Sequence, residues 1–280
     1  MEHKYKLGMY EKAAPEELTW DQRFTAVKES GYDYIELSID ESDKRMDRLN
    51  WTDSKIRKLS ESAFDHGISI GSICFSAQRR FPFGLDSSAP LELMRKAINF
   101  AAQAGIPIIQ LAGYDVYYEQ STPDTLRRFK SNLAIATEMA AKDGIIIAFE
   151  TMETPFMDTV GKAMKYVAEI NSPYLQVYPD IGNLNNAAIK YKTSISDDIN
   201  SGMGHIAAAH IKETEPGKYR NMLFGTGCVD FKTLLSQIYN LGVRRYVTEM
   251  WYQGSPNWRT DLTNAVTFAR SILDPLSDVN

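Results

Sequence analysis

Two hydrophobic rhythms alternate along the chain. Short, nearly continuous apolar runs are separated by longer stretches in which apolar residues recur every three or four positions. The first kind reads as strands buried on both faces, the second as amphipathic helices. Tyr5-Lys6-Leu7-Gly8-Met9 is the first expected strand. YDYIEL, ISIGSI, IPIIQL, IIIAFE, YLQVYPD, HIAAAH and VRRYVTEM supply the next seven. A residue that tolerates a left-handed backbone stands before each of these seven: Gly31, Gly67, Gly105, Gly144, Asn171, Gly204 and Gly242, as expected where a helix ends. Helix starts agree with the same parsing. Thr19, Thr52, Asp158 and Asp230 precede helical stretches as expected N-caps, and Thr122 is followed by Pro123, a residue suited to the first helical turn.

Eight strand-helix units predict one (β/α)8 TIM barrel over residues 1–280, a single α/β domain whose chemistry gathers where the strands end. An open doubly wound sheet is the alternative, but no glycine-rich nucleotide signature accompanies it. With 280 residues and 44% hydrophobic content the chain can bury a core of that size. The net charge of -5 and a pI near 5.5, with acids and bases interspersed, offer no broad basic face for nucleic acid. The two cysteines, Cys74 and Cys228, make no ligand-spaced pair, and no apolar run approaches the roughly 18 residues of a membrane span. A cytoplasmic protein is the expectation.

Four of the expected strands end on a polar side chain. The run Ile145 to Thr151 carries Glu150, Val177-Tyr178-Pro179 stops at Asp180, Ile206 to Ala209 stops at His210, and Tyr246-Val247-Thr248 stops at Glu249. Taken singly, each carboxylate is as well explained as a helix cap or ion-pair partner, and the histidine as a structural residue. On four adjacent strands they form one set of three carboxylates and an imidazole, suited to a divalent cation: Mn²⁺, Zn²⁺, Co²⁺ or Mg²⁺.

The loops after the strands must build the mouth. They carry Tyr10-Glu11-Lys12, the Arg79-Arg80 pair, Gln110, the tyrosine-rich segment around Tyr114, Lys212, the Gly225-Thr226-Gly227 turn, and Trp251. Arg79 and Arg80 are either a solvated pair or an anchor for an anion. Lys212 either serves the same anion or pairs with Glu213. Tyrosines suit a polyhydroxylated ligand, and Trp251 suits an apolar wall. The substrate-binding candidates are therefore Arg79, Arg80, Gln110, Tyr114, Glu153, Asn183, Lys212 and Trp251. Aromatic loops near the mouth also point to a homodimer.

The words RRFPFG, MRKAINFA, YDVYYE, YPDIGNL, HIKETEPG, FGTGCVDF and TEMW resemble those of the L-ribulose-5-phosphate 3-epimerases, also called L-xylulose-5-phosphate 3-epimerases, of bacterial L-ascorbate utilisation. The resemblance runs from the first strand to the last helix. It implies that Glu150, Asp180, His210 and Glu249 hold the metal and that Glu150 and Glu249 form the acid/base pair. Related free-ketose 3-epimerases carry a histidine shortly after the aspartate ligand, where this chain has Asn183.

The implied reaction fits the residues. Inverting carbon 3 of a ketopentose 5-phosphate, from L-xylulose 5-phosphate to L-ribulose 5-phosphate, removes a proton beside a carbonyl and returns it to the other face through an enediolate. Two flanking carboxylates can perform both transfers, and a divalent cation would offset the developing negative charge. A free-ketose epimerase, an aldose-ketose isomerase, a multi-zinc nuclease of the same superfamily and a sugar-binding barrel without turnover are the competing functions. A hydride-shift isomerase calls for a second metal site, and the nuclease for more histidines at the rim.

Overall fold

The computed structural model describes residues 3–278; residues 1–2 and 279–280 of the expected 1–280 unit lie outside the described residues. The apolar runs become eight parallel strands: β1 (Lys6–Tyr10), β2 (Tyr34–Ser38), β3 (Ser69–Phe75), β4 (Ile108–Ala112), β5 (Ile146–Glu150), β6 (Leu175–Tyr178), β7 (Ala209–Ile211) and β8 (Arg245–Thr248). Paired neighbours follow the order β6-β5-β4-β3-β2-β1-β8-β7. Parallel bridges from Val177 to Ile206 and from Asp180 to His210 join the two ends. The result is the closed (β/α)8 barrel.

Around it run α1 (Trp20–Glu29), α2 (Asp43–Met46), α3 (Asp53–Asp65), α4 (Ala89–Ala104), α5 (Pro123–Lys142), α6 (Val160–Ile170), α7 (Ile181–Tyr191), α8 (Ile195–Asn200), α9 (Phe231–Asn240) and α10 (Trp258–Asp278). Thr19 and Gln22 form a reciprocal capping box at α1, and Thr52, Thr122 and Asp230 cap α3, α5 and α9 as expected. A cap of this kind is worth about 1 kcal/mol. The Asp158 expectation is off by one residue. Thr159, in extended backbone, caps α6, while Asp158 accepts hydrogen bonds from Lys162 Nζ at 2.5 Å and the Tyr191 hydroxyl at 2.6 Å. Among the described residues no helix is long and apolar enough to cross a membrane.

Strand residues alternate between two environments. Leu7, Ile35, Ile73, Ile109, Ile147, Phe149, Val177, Ile211 and Tyr246 face the helices in one large apolar cluster. Residues of the opposite parity, including Tyr10, Tyr34, Cys74, Ile108, Ala148, Tyr178, Ala208 and Val247, form separate small clusters inside the barrel. Because the strand period is two, this parity also sends Glu150, Asp180, His210 and Glu249 inward. The seventh strand departs from expectation: the ladder covers Ala209–Ile211, with His210 at its centre, and Ile206 contributes an isolated bridge. Closure against β6 fixes that register, since His210 N donates to Pro179 O at 2.9 Å.

The ends of β1 and β2 are tied by a buried charge cluster. Glu11 accepts hydrogen bonds from Ser38 N at 2.8 Å, Arg45 Nη1 at 2.9 Å, and Arg48 Nη1 and Nη2 at 2.6 and 2.7 Å. These bonds set the position of Lys12, which pairs with Asp40 at 2.5 Å and lines the mouth.

Candidate metal centre and active site

Glu150, Asp180, His210 and Glu249 are all buried, and one ligand atom from each lies within 4.8 Å of the other three. His210 Nδ1 is 3.2 Å from Glu150 Oε1, 3.6 Å from Glu249 Oε2 and 3.9 Å from Asp180 Oδ2. The four side chains are close enough for one cation to take a donor atom from each. Asp180 shows how the cap and ligand explanations coexist. Its Oδ1 accepts from Asn183 N at 2.9 Å to cap α7, while Oδ2 faces the cluster.

Lys212, of the same parity as His210 and nearer the mouth, reaches into this cluster. Its Nζ is 2.5 Å from Asp180 Oδ2 and 3.1 Å from Glu249 Oε2. Neither oxygen receives a well-aligned hydrogen bond. Burial and the Glu249 charge raise Glu150 above the usual carboxylate range, and burial raises Asp180 to about 8 against the pull of Lys212. Glu249 moves the other way: burial opposes its charge, but Lys212 and His210 hold it down to about 2. Burial opposes a charge on His210, but the charges of Glu36 and Glu249 and hydrogen bonds to Glu150 and Glu36 raise it well above the usual imidazole value. The cluster thus holds more negative charge than Lys212 and His210 comfortably offset. The donor set and the oxygens without hydrogen bonds fit a divalent cation.

The mouth above the cluster is a narrow cleft lined by residues that include Tyr10, Lys12, Cys74, Arg79, Glu153, Lys212, Arg220 and Trp251. Arg79 lies 3.6 Å from Glu153 Oε1 and sits over the Tyr117 ring. Gln110 donates to Glu150 Oε2, and Tyr114 is buried with its hydroxyl unpaired. Trp251 packs edge-on against Tyr10 and forms a wall. Asn183 stands behind Asp180, donating from Nδ2 to Thr151 O at 2.8 Å and keeping Oδ1 buried without a partner.

The structure decides between the alternatives left open in the loops. Arg80 points away from the mouth, half-exposed, and pairs with Asp43 at 2.7 Å, because the short 3-10 turn Ser76–Arg79 separates the directions of the two arginines. Glu213 does not pair with Lys212, since adjacent residues of the extended segment after β7 face opposite sides. Instead its carboxylate accepts from Thr214 N, Gly225 N and Val229 N at 3.1, 2.8 and 3.3 Å. Of the Gly225-Thr226-Gly227 turn, the Gly225 amide is therefore committed to an internal anion and the Thr226 amide to Leu223 O. Gly227 is required there because a Cβ would stand 2.4 Å from Glu213 Oε1 and Thr214 O.

Two contributors escaped the sequence reading. Arg220, in the loop after β7, donates to Glu153 at 3.1 Å and covers Trp251; nothing local in the sequence marks it. Glu36, at the centre of β2, places Oε1 2.7 Å from His210 Nε2. A charge inside the apolar word YIEL was its visible signal.

A family model described as xylose isomerase-like TIM barrel matches residues 24–272. L-ribulose-5-phosphate 3-epimerase UlaE of Salmonella heidelberg strain SL476 is 40% identical over 264 residues, covering 92% of this chain and 92% of that protein. The protein of the same name from Escherichia coli strain K12 is 39% identical, with 92% of each chain covered. Among solved structures, D-psicose 3-epimerase in the presence of D-fructose is similar with a TM-score of 0.78 at 16% identity, covering 96% of this chain and 99% of that one. At that identity the likeness carries the fold alone.

Proposed function

The chain belongs to the xylose isomerase-like TIM barrel family and, within it, to the L-ribulose-5-phosphate 3-epimerases; from that premise we propose that it inverts carbon 3 of a ketopentose 5-phosphate, interconverting L-xylulose 5-phosphate and L-ribulose 5-phosphate with one divalent metal ion. The observation that carries this function is the convergence of two glutamates from strands three places apart, Glu150 on β5 and Glu249 after β8, on His210 Nδ1.

One glutamate takes the proton from carbon 3 and the other delivers a proton to the opposite face. Glu150, Asp180, His210 and Glu249 would hold the metal, which when bound supplies Lewis-acid stabilisation of the enediolate charge. Gln110 keeps Glu150 oriented. The cations lining the mouth, Arg79, Lys12, Lys212 and Arg220, serve the substrate phosphate, and Tyr114, Glu153, Asn183 and Trp251 shape or support the sugar site. The cytoplasm and a single catalytic domain belong to the same reading. So does a homodimer, with Tyr118 and Leu223 as exposed apolar residues on the loops of this end of the barrel.

The test is proton exchange at carbon 3 in D₂O, followed by NMR with L-xylulose 5-phosphate and with unphosphorylated L-xylulose, before and after chelation. Metal-dependent exchange of the phosphate ester with formation of its 3-epimer is expected. Equal exchange of both sugars would reassign the protein to free ketoses, and no exchange of either would refute the epimerase assignment for these pentuloses.

A further inference from the structure

Glu36 lies in the middle of β2, fully buried, and among the described residues its one ion-pair partner is His210. Keeping a carboxylate charged in such a place costs several kcal/mol unless partners surround it. Here Oε1 faces His210 Nε2 at 2.7 Å, while Oε2 accepts from the Ser72 hydroxyl at 2.6 Å and the Tyr178 hydroxyl at 2.9 Å. The backbone bends to make this possible. Pairing of β2 with β3 runs Ile35 to Ile70 and then Glu36 to Ser72, so Gly71 is an extra residue. A Cβ at Gly71 would sit 2.3 Å from the Tyr34 ring. Bulges beside active sites re-aim side chains, and this one sets the Ser72 hydroxyl opposite Glu36.

We propose that Glu36 is a positioning residue for His210: clamped by Ser72 and Tyr178, it accepts the Nε2 proton and leaves Nδ1 to coordinate a divalent cation with Glu150, Asp180 and Glu249. This rests on the metal-dependent function proposed above. A neutral imidazole carries one proton, so a proton held on Nε2 turns the Nδ1 lone pair toward the cluster. Tyr178 acts twice, since its ring also packs edge-on against the imidazole with centroids 4.8 Å apart. Glutamine at position 36 would keep the shape but not the chemistry. Its carbonyl can accept from Nε2 only with the NH₂ facing the Ser72 and Tyr178 hydroxyls, which then lose the carboxylate oxygen they donate to. Turning the amide NH₂ toward Nε2 moves the imidazole proton to Nδ1, where it blocks the metal. Partners of this kind are worth about 10- to 100-fold in metal affinity.

Mn²⁺ binding to the metal-stripped full chain, measured by electron paramagnetic resonance, tests this in wild type, Glu36→Gln and Ser72→Ala. Histidine ¹⁵N NMR of the Zn²⁺-loaded proteins and thermal unfolding of the metal-free ones accompany it. Glu36→Gln is expected to bind Mn²⁺ about 10- to 100-fold more weakly, and Ser72→Ala to shift in the same direction by less. The Nε2-H resonance, far downfield in wild type, should move upfield in Glu36→Gln, and kcat should recover toward wild type at saturating Mn²⁺. Unchanged affinity and an unchanged resonance in folded Glu36→Gln would overturn the proposal. So would a loss of kcat that saturating Mn²⁺ leaves unrepaired while affinity is unaltered, the signature of a merely structural role. If Glu36→Gln does not fold, Ser72→Ala decides, because wild-type affinity and resonance there also overturn it. Wild-type protein that binds neither ion would overturn the metal-dependent function itself, and this proposal with it, before any variant is compared.

Discussion

Replacing Glu11 with glutamine should remove a pH-dependent share of stability that can be calculated from the structure. The Glu11 carboxylate is fully buried. Burial opposes its charge, but hydrogen bonds from Arg48 and the charges of Arg48, Arg45 and Arg23 lower it from 4.5 to about 2. A carboxyl whose folded value is depressed stabilises the fold above its unfolded value and loses that contribution as pH falls through the folded one. With about 1.4 kcal/mol per unit, the two values imply about 3 kcal/mol at neutral pH, close to the cost of breaking a buried ion pair from one side. The same linkage leaves about half of it near pH 3 and almost none below pH 2. Urea unfolding of wild type and Glu11→Gln at a series of pH values measures the difference directly, and other titrating groups cancel in the subtraction. The gap should be about 3 kcal/mol at pH 7 and should close between pH 4.5 and pH 2. A gap that stays constant over that range, or one below 1 kcal/mol at pH 7, would refute the electrostatic account of this cluster.

Other outcomes follow from the active site. Glu150→Gln and Glu249→Gln should each slow carbon 3 exchange by at least about 100-fold, the usual weight of a general acid or base; near-wild-type exchange in either would remove that residue from the proton path. Metal-stripped protein should unfold at lower temperature, and Mn²⁺ at 100 times its dissociation constant should restore about 2.7 kcal/mol, read by calorimetry. Arg79→Ala should cost about 1.5–3 kcal/mol of charge-assisted binding, raising KM for the phosphate ester while leaving exchange of the free ketulose unchanged; equal effects on both would take Arg79 away from the phosphate. Gly71→Ala, whose methyl would meet the Tyr34 ring at 2.3 Å, should destabilise by about 1–3 kcal/mol through overpacking, measured by urea unfolding.

Where side-chain chemistry is local, the sequence was enough to locate it. Thr19, Thr122 and Asp230 cap helices as their types predict, and Gly105 and Asn171 take the left-handed backbone at helix ends. The four rim residues were legible because each sits at or just past the end of an apolar run. Gln110 was legible as the polar residue inside the fourth run and Tyr114 as one that follows it. Arg80 and the Gly225-Thr226-Gly227 turn could not be oriented from sequence for a common reason: a loop's composition says which groups it owns, not where they point. Arg80 turned to Asp43, and the Gly225 amide turned to Glu213.

Strand period and helix-end chemistry are properties of neighbouring residues, so the sequence by itself determined eight strand-helix units and the inward parity of Glu150, Asp180, His210 and Glu249. Pairing across the barrel is not a local property. That β6 meets β7, that a bulge at Gly71 puts Ser72 opposite Glu36, and that residues as far apart as Glu36 and His210 share a proton were decided by closure of the sheet. Closure brings buried polar groups from distant strands into one low-dielectric space, where each must find a partner or destabilise the fold. Which partner it finds is set by three-dimensional packing.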